Sequence, residues 1–122
     1  MLFLAQSTLD SGMTLSEGCS ITSENGAYYA IMQIDGNFAI YRTNPSSILW
    51  TSQTMGQGQR PYRLVLQFDG NLVLYDGNNA PKWASNTPHA ENNPRSLVMQ
   101  DDGNMVIYDG NGVTVWASNT AQ

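Results

Sequence analysis

The chain has 122 residues, 41% of them apolar and only 12% charged, with 11 glycines. That length suits one domain, and polarity carried by Asn, Gln, Ser and Thr suits a β protein with many turns, because helical surfaces usually carry more Lys and Glu. A net charge of -5 with no run of Lys or Arg excludes nucleic acid and anionic membrane surfaces as natural partners, since phosphate neutralisation needs a clustered positive face.

In chain order, the first six residues, MLFLAQ, carry no basic stretch, and their apolar run stops at Ala5. That is too short for a signal peptide or a membrane span. Cys19 is the single cysteine, so no intramolecular disulfide can form; it reads as a small, partly buried apolar residue. The one N-x-[ST] sequence, at Asn44, is blocked by Pro45. The expectation is a cytoplasmic protein without membrane insertion, with non-classical export or a removed leader as alternatives.

The next feature is a repeat. QIDGNFAIY runs from Gln33 to Tyr41, QFDGNLVLY from Gln67 to Tyr75, and QDDGNMVIY from Gln100 to Tyr108. The Gln and Tyr positions step by 34 and then 33 residues; Trp50, Trp83 and Trp116 step by 33 twice, in the contexts WTSQT, WASNT and WASNT. The one-residue excess falls in RTNPSSIL, which reads as a loop. Internal repetition at this period signals a repeat architecture. The units divide at about 1–52, 53–86 and 87–122.

Each unit reads as short strands joined by turns. In the second, YRLVLQ is a strand, FDG a turn, NLVLY a strand, DGNNAP a loop and KWAS a strand. Asp-Gly between apolar runs is a hairpin signal, and a three-residue loop ending in a left-handed glycine would put Gln67 opposite Asn71. A two-residue loop would shift that pairing. Side chains alternate across a strand. One face then carries Leu64, Leu66, Leu72 and Leu74, with Ala30, Met32, Phe38 and Ile40 in the first unit and Leu97, Met99, Met105 and Ile107 in the third. All twelve are apolar, so this face is the core. Three such sheets around a common axis would bury them together, with the three Trp meeting near the axis as structural residues. Three units are too few for a propeller, and β-trefoil repeats usually run longer.

The other face carries Gln67, Asn71, Val73 and Tyr75, with Asp69 on the turn. Turn chemistry accounts for Asp-Gly-Asn. It does not require Gln two residues before the Asp or Tyr six residues after it, in all three units. Asp accepts hydrogen bonds, Asn and Gln give and accept, and Tyr does both. A pyranose needs that combination, together with an apolar contact for its C–H face.

The pattern Q-x-D-x-N-x-V-x-Y resembles the signature of the monocot mannose-binding (bulb-type, snowdrop-lectin-like) lectins. The resemblance covers nearly the whole chain, including LDSGMTLSEG (Leu9 to Gly18), which is similar to the family's opening L-x-x-G-x-x-L-x-x-G. It implies the β-prism II fold, three four-stranded antiparallel sheets around a pseudo-threefold axis, and up to three shallow, metal-independent sites for terminal α-mannose. Asp69 and Asn71 would hold the axial 2-hydroxyl, Gln67 the 3-hydroxyl and Tyr75 the 4-hydroxyl, with Val73 against the ring carbons. Gln100, Asp102, Asn104, Val106 and Tyr108 match in the third unit. Gln33, Asp35, Asn37 and Tyr41 match in the first, where Ala39 replaces the Val. At about 0.8 kcal/mol per buried methylene-sized group, that loss makes the first site the expected weakest. Secreted plant members carry a disulfide, and Gly36 stands where many have one of its cysteines, which weakens any case for secretion. Plant members also trade C-terminal strands to form dimers, an exchange open to Gly112–Gln122. The implied partners are mannose-containing glycans and glycoproteins, bound without a cofactor.

Rival classes fare worse. Glycoside hydrolysis needs two acids flanking one bond, and each unit offers one placed Asp; alternation sends the extra Asp101 away from Asp102. His89, the only histidine, lies in TPHAENNP, a loop by composition, with no triad or zinc cluster around it. QDDGN lacks the alternating ligands and terminal Glu of a calcium loop. A structural or protein-interaction module on the same prism, linking glycosylated membranes to an intracellular partner, is the alternative. Single sites with four or five hydrogen bonds, each worth about 1 kcal/mol net, bind near the millimolar range and act through multivalency.

Overall fold

A computed structural model describes residues 6–88 and 94–122. His89 and the apolar run from Met1 to Ala5 lie outside the described residues. The described residues form twelve strands: β1 (Thr8–Asp10), β2 (Thr14–Ser16), β3 (Ser20–Thr22), β4 (Tyr28–Met32), β5 (Phe38–Thr43), β6 (Ser46–Thr51), β7 (Arg63–Leu66), β8 (Leu72–Tyr75), β9 (Pro81–Ala84), β10 (Ser96–Met99), β11 (Met105–Tyr108) and β12 (Thr114–Ala117). They form three four-stranded antiparallel sheets, ordered β3-β4-β5-β6, β2-β7-β8-β9 and β1-β10-β11-β12. Among the described residues no helix is long and apolar enough to cross a membrane.

Each repeat builds three consecutive strands of one sheet. The fourth comes from the N-terminal segment, whose three short strands each join a different sheet. Two tight turns let the segment pass between sheets. The N–H of Met13 bonds the Asp10 carbonyl at 2.9 Å, and that of Cys19 bonds Ser16 at 2.9 Å. Gly12 and Gly18 occupy the third turn position at φ +84° and +85°, the left-handed conformation that a type II turn demands there.

The hairpin register comes from turn chemistry. Leu66 pairs with Leu72, the Gln67 N–H bonds the Asn71 carbonyl at 2.9 Å, the Gly70 N–H bonds Gln67 at 2.9 Å, and Gly70 sits at φ +87°. Gln67 therefore stands opposite Asn71, as the three-residue loop requires. In the first repeat the expected loop RTNPSSIL is mostly strand: β5 and β6 run six residues each, against four in β8 and β9. The extra residue there accompanies a longer hairpin, because backbone groups that would otherwise face solvent pair across it.

The twelve alternating apolar residues are all at most 1% exposed. Leu9, Leu15 and Ile21, one from each N-terminal strand, join them at 2%, 6% and 1%. Burying each of the Leu, Ile, Met and Phe side chains among them is worth about 2 kcal/mol. At the centre, Trp50, Trp83 and Trp116 meet edge to face, with centroids 5.5, 5.9 and 5.7 Å apart and every interplanar angle 75°. That geometry sets the positive edge of one ring against the negative face of the next. Cys19 departs from expectation: it is exposed rather than partly buried, because it sits just past the turn glycine at the outer corner between β2 and β3.

Candidate functional site

All sequence-predicted polar residues come together, repeat by repeat, where the central hairpin of each sheet turns. In the second repeat the Asp69 carboxylate accepts the backbone N–H of Asn71 at 2.9 Å, an Asx turn that fixes the carboxylate over the loop. Gln67 Nε2 donates to both oxygens of Asp69 at 3.2 Å. The Tyr75 hydroxyl donates to Gln67 Oε1. The first repeat repeats this chain: Asn37 N–H to Asp35 at 2.9 Å, Gln33 Nε2 to Asp35 at 3.1 and 3.2 Å, and Tyr41 to Gln33 Oε1. In the third, the Asn104 N–H bonds Asp102 at 2.8 Å, and the Gln100 amide is turned so that Nε2 donates to the Tyr108 oxygen.

The Asn side chains are held by residues outside the predicted set. Asn71 Oδ1 accepts from Ser85 Oγ at 3.2 Å and Thr87 N–H at 3.1 Å. Ser52 and Thr54 hold Asn37, and Ser118 and Thr120 hold Asn104, at 3.2 to 3.3 Å. Each Thr hydroxyl also donates to the turn-glycine carbonyl, at 2.7, 3.3 and 2.6 Å. With Oδ1 engaged, Nδ2 is the amide's remaining donor. The signal was visible in the sequence as the recurring S-x-T of WTSQT and WASNT, read there only as the setting of the Trp.

Neighbouring repeats lock these turns in a ring. A Cβ at Gly36 would lie 2.8 Å from the Tyr62 ring, one at Gly70 2.6 Å from the Arg95 guanidinium, and one at Gly103 3.1 Å from the Tyr28 ring. Tyr28, Tyr62 and Arg95 are themselves equivalent by repeat, so each unit covers the turn of the one before it. Arg95, 5% exposed, donates from Nη1 to the carbonyls of Gly70 at 2.9 Å and Thr87 at 2.5 Å.

No protein-family model matches the chain. A monomeric monocot mannose-binding lectin from Gastrodia elata is 38% identical, with 96% of this chain and 100% of that one aligned at a TM-score of 0.87. The chain belongs to the monocot mannose-binding, bulb-type lectin family. The mannose-specific snowdrop (Galanthus nivalis) agglutinin, solved with methyl α-D-mannoside, is also 38% identical over 96% of this chain and 99% of its own, at a TM-score of 0.75. The mannose-specific lectin of Narcissus pseudonarcissus is 43% identical over 71 residues, 58% of this chain and 61% of that protein. The aligned stretches span between 29% and 61% of the first curated relatives' lengths. The β-prism II architecture expected from the resemblance is the one observed, and the proteins it resembles are named as lectins rather than enzymes.

Within this bulb-type lectin framework the three sites are not copies. Cross-strand from each Tyr stands a different residue: Tyr29 opposite Tyr41, Arg63 opposite Tyr75 and Ser96 opposite Tyr108. Tyr29 stacks on Tyr41 at 5.2 Å and 17°, and the Arg63 guanidinium lies 4.6 Å from the Tyr75 ring centre. Ser96 instead bonds Asp10 at 2.5 Å. Burial, with the nearby Tyr29 and Asp35, raises the Tyr41 phenol above its ordinary value, so its hydroxyl keeps its proton at neutral pH. The site floors are less different than the methyl count implies. Val73 and Val106 are each only 3% exposed and Ala39 0%, so little of either Val is available to a ligand. A cleft of about 480 Å³ opens beside Gln67, Asn71, Val73 and Tyr75, and one of about 430 Å³ beside Gln33, Asp35 and Tyr41. Among the described residues no group of His, Cys, Asp and Glu is placed to hold a metal ion.

Proposed function

We propose that the chain is a metal-independent mannose-binding lectin that recognises terminal α-mannose on high-mannose glycans through up to three shallow sites. The observation that carries this reading is the polarity of the first two arrays; the third shares the Asp and Asn part of it. Asn Oδ1 is already engaged by Ser and Thr, leaving Nδ2 to donate. The Asp carboxylate, positioned by the Asn backbone, remains an acceptor with lone pairs to spare. Gln67 Nε2 uses one proton on Asp69 and keeps one for the ligand, while the Tyr75 hydroxyl directs its proton at Gln67 and offers lone pairs. Donor and acceptor alternate across the site, as adjacent sugar hydroxyls require. Asp69 and Asn71 would receive the axial 2-hydroxyl, Gln67 the 3-hydroxyl and Tyr75 the 4-hydroxyl, with matching roles in the other repeats.

The groups are fixed before a ligand arrives, so binding costs little side-chain ordering. An equatorial 2-hydroxyl would leave the Asp–Asn pair without its partner, which a hydrogen-bonding site penalises heavily. Intact polar sets in all three repeats do not favour a purely structural module. The Gastrodia relative is described as monomeric, which supports a monomer over a strand-exchanged dimer; sedimentation distinguishes the two. We also read the protein as cytoplasmic, since an exposed, unpaired thiol at Cys19 persists best in a reducing compartment.

Calorimetric titration with methyl α-mannoside, beside the glucose and galactose analogues and with EDTA present, tests the reading. Heat with mannose alone, at millimolar Kd, is the expected result. Silence with all three sugars at concentrations that reveal such binding overturns it.

A further inference from the structure

The position between the Gln and the Asp of each repeat separates the three sites more sharply than any other. It holds Ile34, Phe68 and Asp101. Ile34 is 59% exposed and Phe68 80%, the highest exposure among the large apolar side chains described. An isolated exposed apolar residue needs no explanation. These two occupy equivalent places, each between two residues of a binding site. Ile34 lines the same cleft as Gln33, Asp35 and Tyr41, and that cleft continues past it to Gly18.

Phe68 is seated rather than loose. Its ring lies against the backbone of Gly12, so closely that a Cβ there would fall 2.4 Å from the ring. Gly12 and Gly18 are equivalent corners, since their N–H groups bond Leu66 and Met32 at 2.7 Å each. Met13, 40% exposed, comes directly after Gly12. In the third repeat the same place is polar. Asp101 accepts the Asn25 backbone N–H at 2.9 Å, its carbonyl accepts Asn25 Nδ2 at 3.1 Å, and Glu24 joins Gln100 and Asp101 around a neighbouring cleft.

We propose that this position sets a second subsite: Ile34 and Phe68 receive the C–H face of the next ring of a neutral oligosaccharide, whereas Asp101, tied to Asn25, makes the place polar and leaves the third site to terminal residues alone. The inference rests on the mannose reading and deepens it. A pyranose presents an apolar face that loses little by leaving water, and a seated ring or branched side chain next to the first sugar supplies the surface to cover it. An anchored carboxylate beside Glu24 offers no such surface. The chain would then hold two sites that prefer extended glycans and one indifferent to any sugar beyond the terminal residue.

The test uses single-site proteins. Gln33→Ala with Gln100→Ala leaves the second site, and Gln33→Ala with Gln67→Ala leaves the third. Each is titrated with methyl α-mannoside and with α-mannobiosides of each linkage. At the second site at least one mannobioside should bind about fivefold tighter than the monosaccharide, and adding Phe68→Ser should bring that ratio to near one. At the third site the ratio should be near one for every linkage. Ile34→Ser in a protein keeping only the first site repeats the test with a different side chain. A ratio unchanged by Phe68→Ser and by Ile34→Ser, or a third site that prefers the same disaccharide, overturns the subsite while leaving the mannose reading intact. Failure of methyl α-mannoside to bind any of the proteins, wild type included, overturns the mannose reading itself and the subsite with it.

Discussion

Tyr29 lies flat against Tyr41, ring centres 5.2 Å apart and planes 17° from parallel, on the strand next to the one that carries the site. The stack holds the phenol that donates to Gln33 Oε1. The third repeat has Ser96 at the equivalent place. Tyr29→Ser should therefore convert the support of the first site into that of the third. An aromatic pair is worth about 0.5–1.5 kcal/mol beyond its area, so mannose affinity at the first site should fall by about two- to tenfold. Titration of a protein with only that site active checks it; an unchanged Kd would show that the stack does not position the hydroxyl.

The same tyrosine makes a pH prediction. Burial, then Tyr29 and Asp35, raises the Tyr41 phenol above its ordinary value of 10.0. A group whose folded pKa is raised contributes its stability fully below the unfolded pKa and loses it as pH climbs through the folded value. Mannose binding at the first site should be flat through neutral pH and fall only in strongly alkaline solution. Ultraviolet difference titration of wild type against Tyr41→Phe reads the phenol directly, and ionisation of Tyr41 at or below 10.0 would contradict it.

Ser85 touches no ligand in the proposed mode, yet it orients Asn71 and accepts the N–H of Leu72 at 3.1 Å. Ser85→Ala should weaken the second site by about tenfold, as expected for losing a positioning hydrogen bond of about 1–1.5 kcal/mol. The other two sites should keep their affinity, because each has its own Ser. Equal losses at all three would point to a general fold defect instead.

Gly70 combines a left-handed φ of +87° with a Cβ position 2.6 Å from Arg95. Gly26, at φ +73°, has nothing within 4 Å of its Cβ position. Gly26→Ala should cost about 1 kcal/mol, the conformational strain alone. Gly70→Ala adds displacement of a buried guanidinium and should cost about 3 kcal/mol or more. Urea unfolding of the two variants separates the terms, and equal losses would remove the steric one.

Ala39→Val tests the floor of the first site. The valines of the other repeats are almost covered, so the added methyls meet little ligand. The gain in mannose affinity should stay below about threefold, less than a full methylene count of about 0.8 kcal/mol each would supply. A tenfold gain would restore the expectation that Ala39 makes the first site the weakest.

The repeat, the hairpin register and the two-faced strands were legible in the chain because each depends on local chemistry. Asp-Gly selects the turn, the turn sets Gln67 opposite Asn71, and alternation with period two sorts Leu64, Leu66, Leu72 and Leu74 from Gln67, Val73 and Tyr75. The Gln, Asp, Asn and Tyr of each site fall within nine residues of one another, so their convergence came from the same local rules. Tertiary structure alone decided the rest. That β1, β2 and β3 serve three different sheets depends on where two tight turns send a short segment, and its spacing alone does not reveal which edge each strand will pair. That Ser85 and Thr87 hold Asn71 depends on β9 folding back beside β8. Arg95 capping Gly70, and Tyr29 rather than Ser96 stacking behind a site tyrosine, are contacts across strands or between repeats. A recurring sequence motif determines what each unit is able to build, whereas the residues that neighbouring strands and units bring against it determine how firmly each site is held and what it can reach.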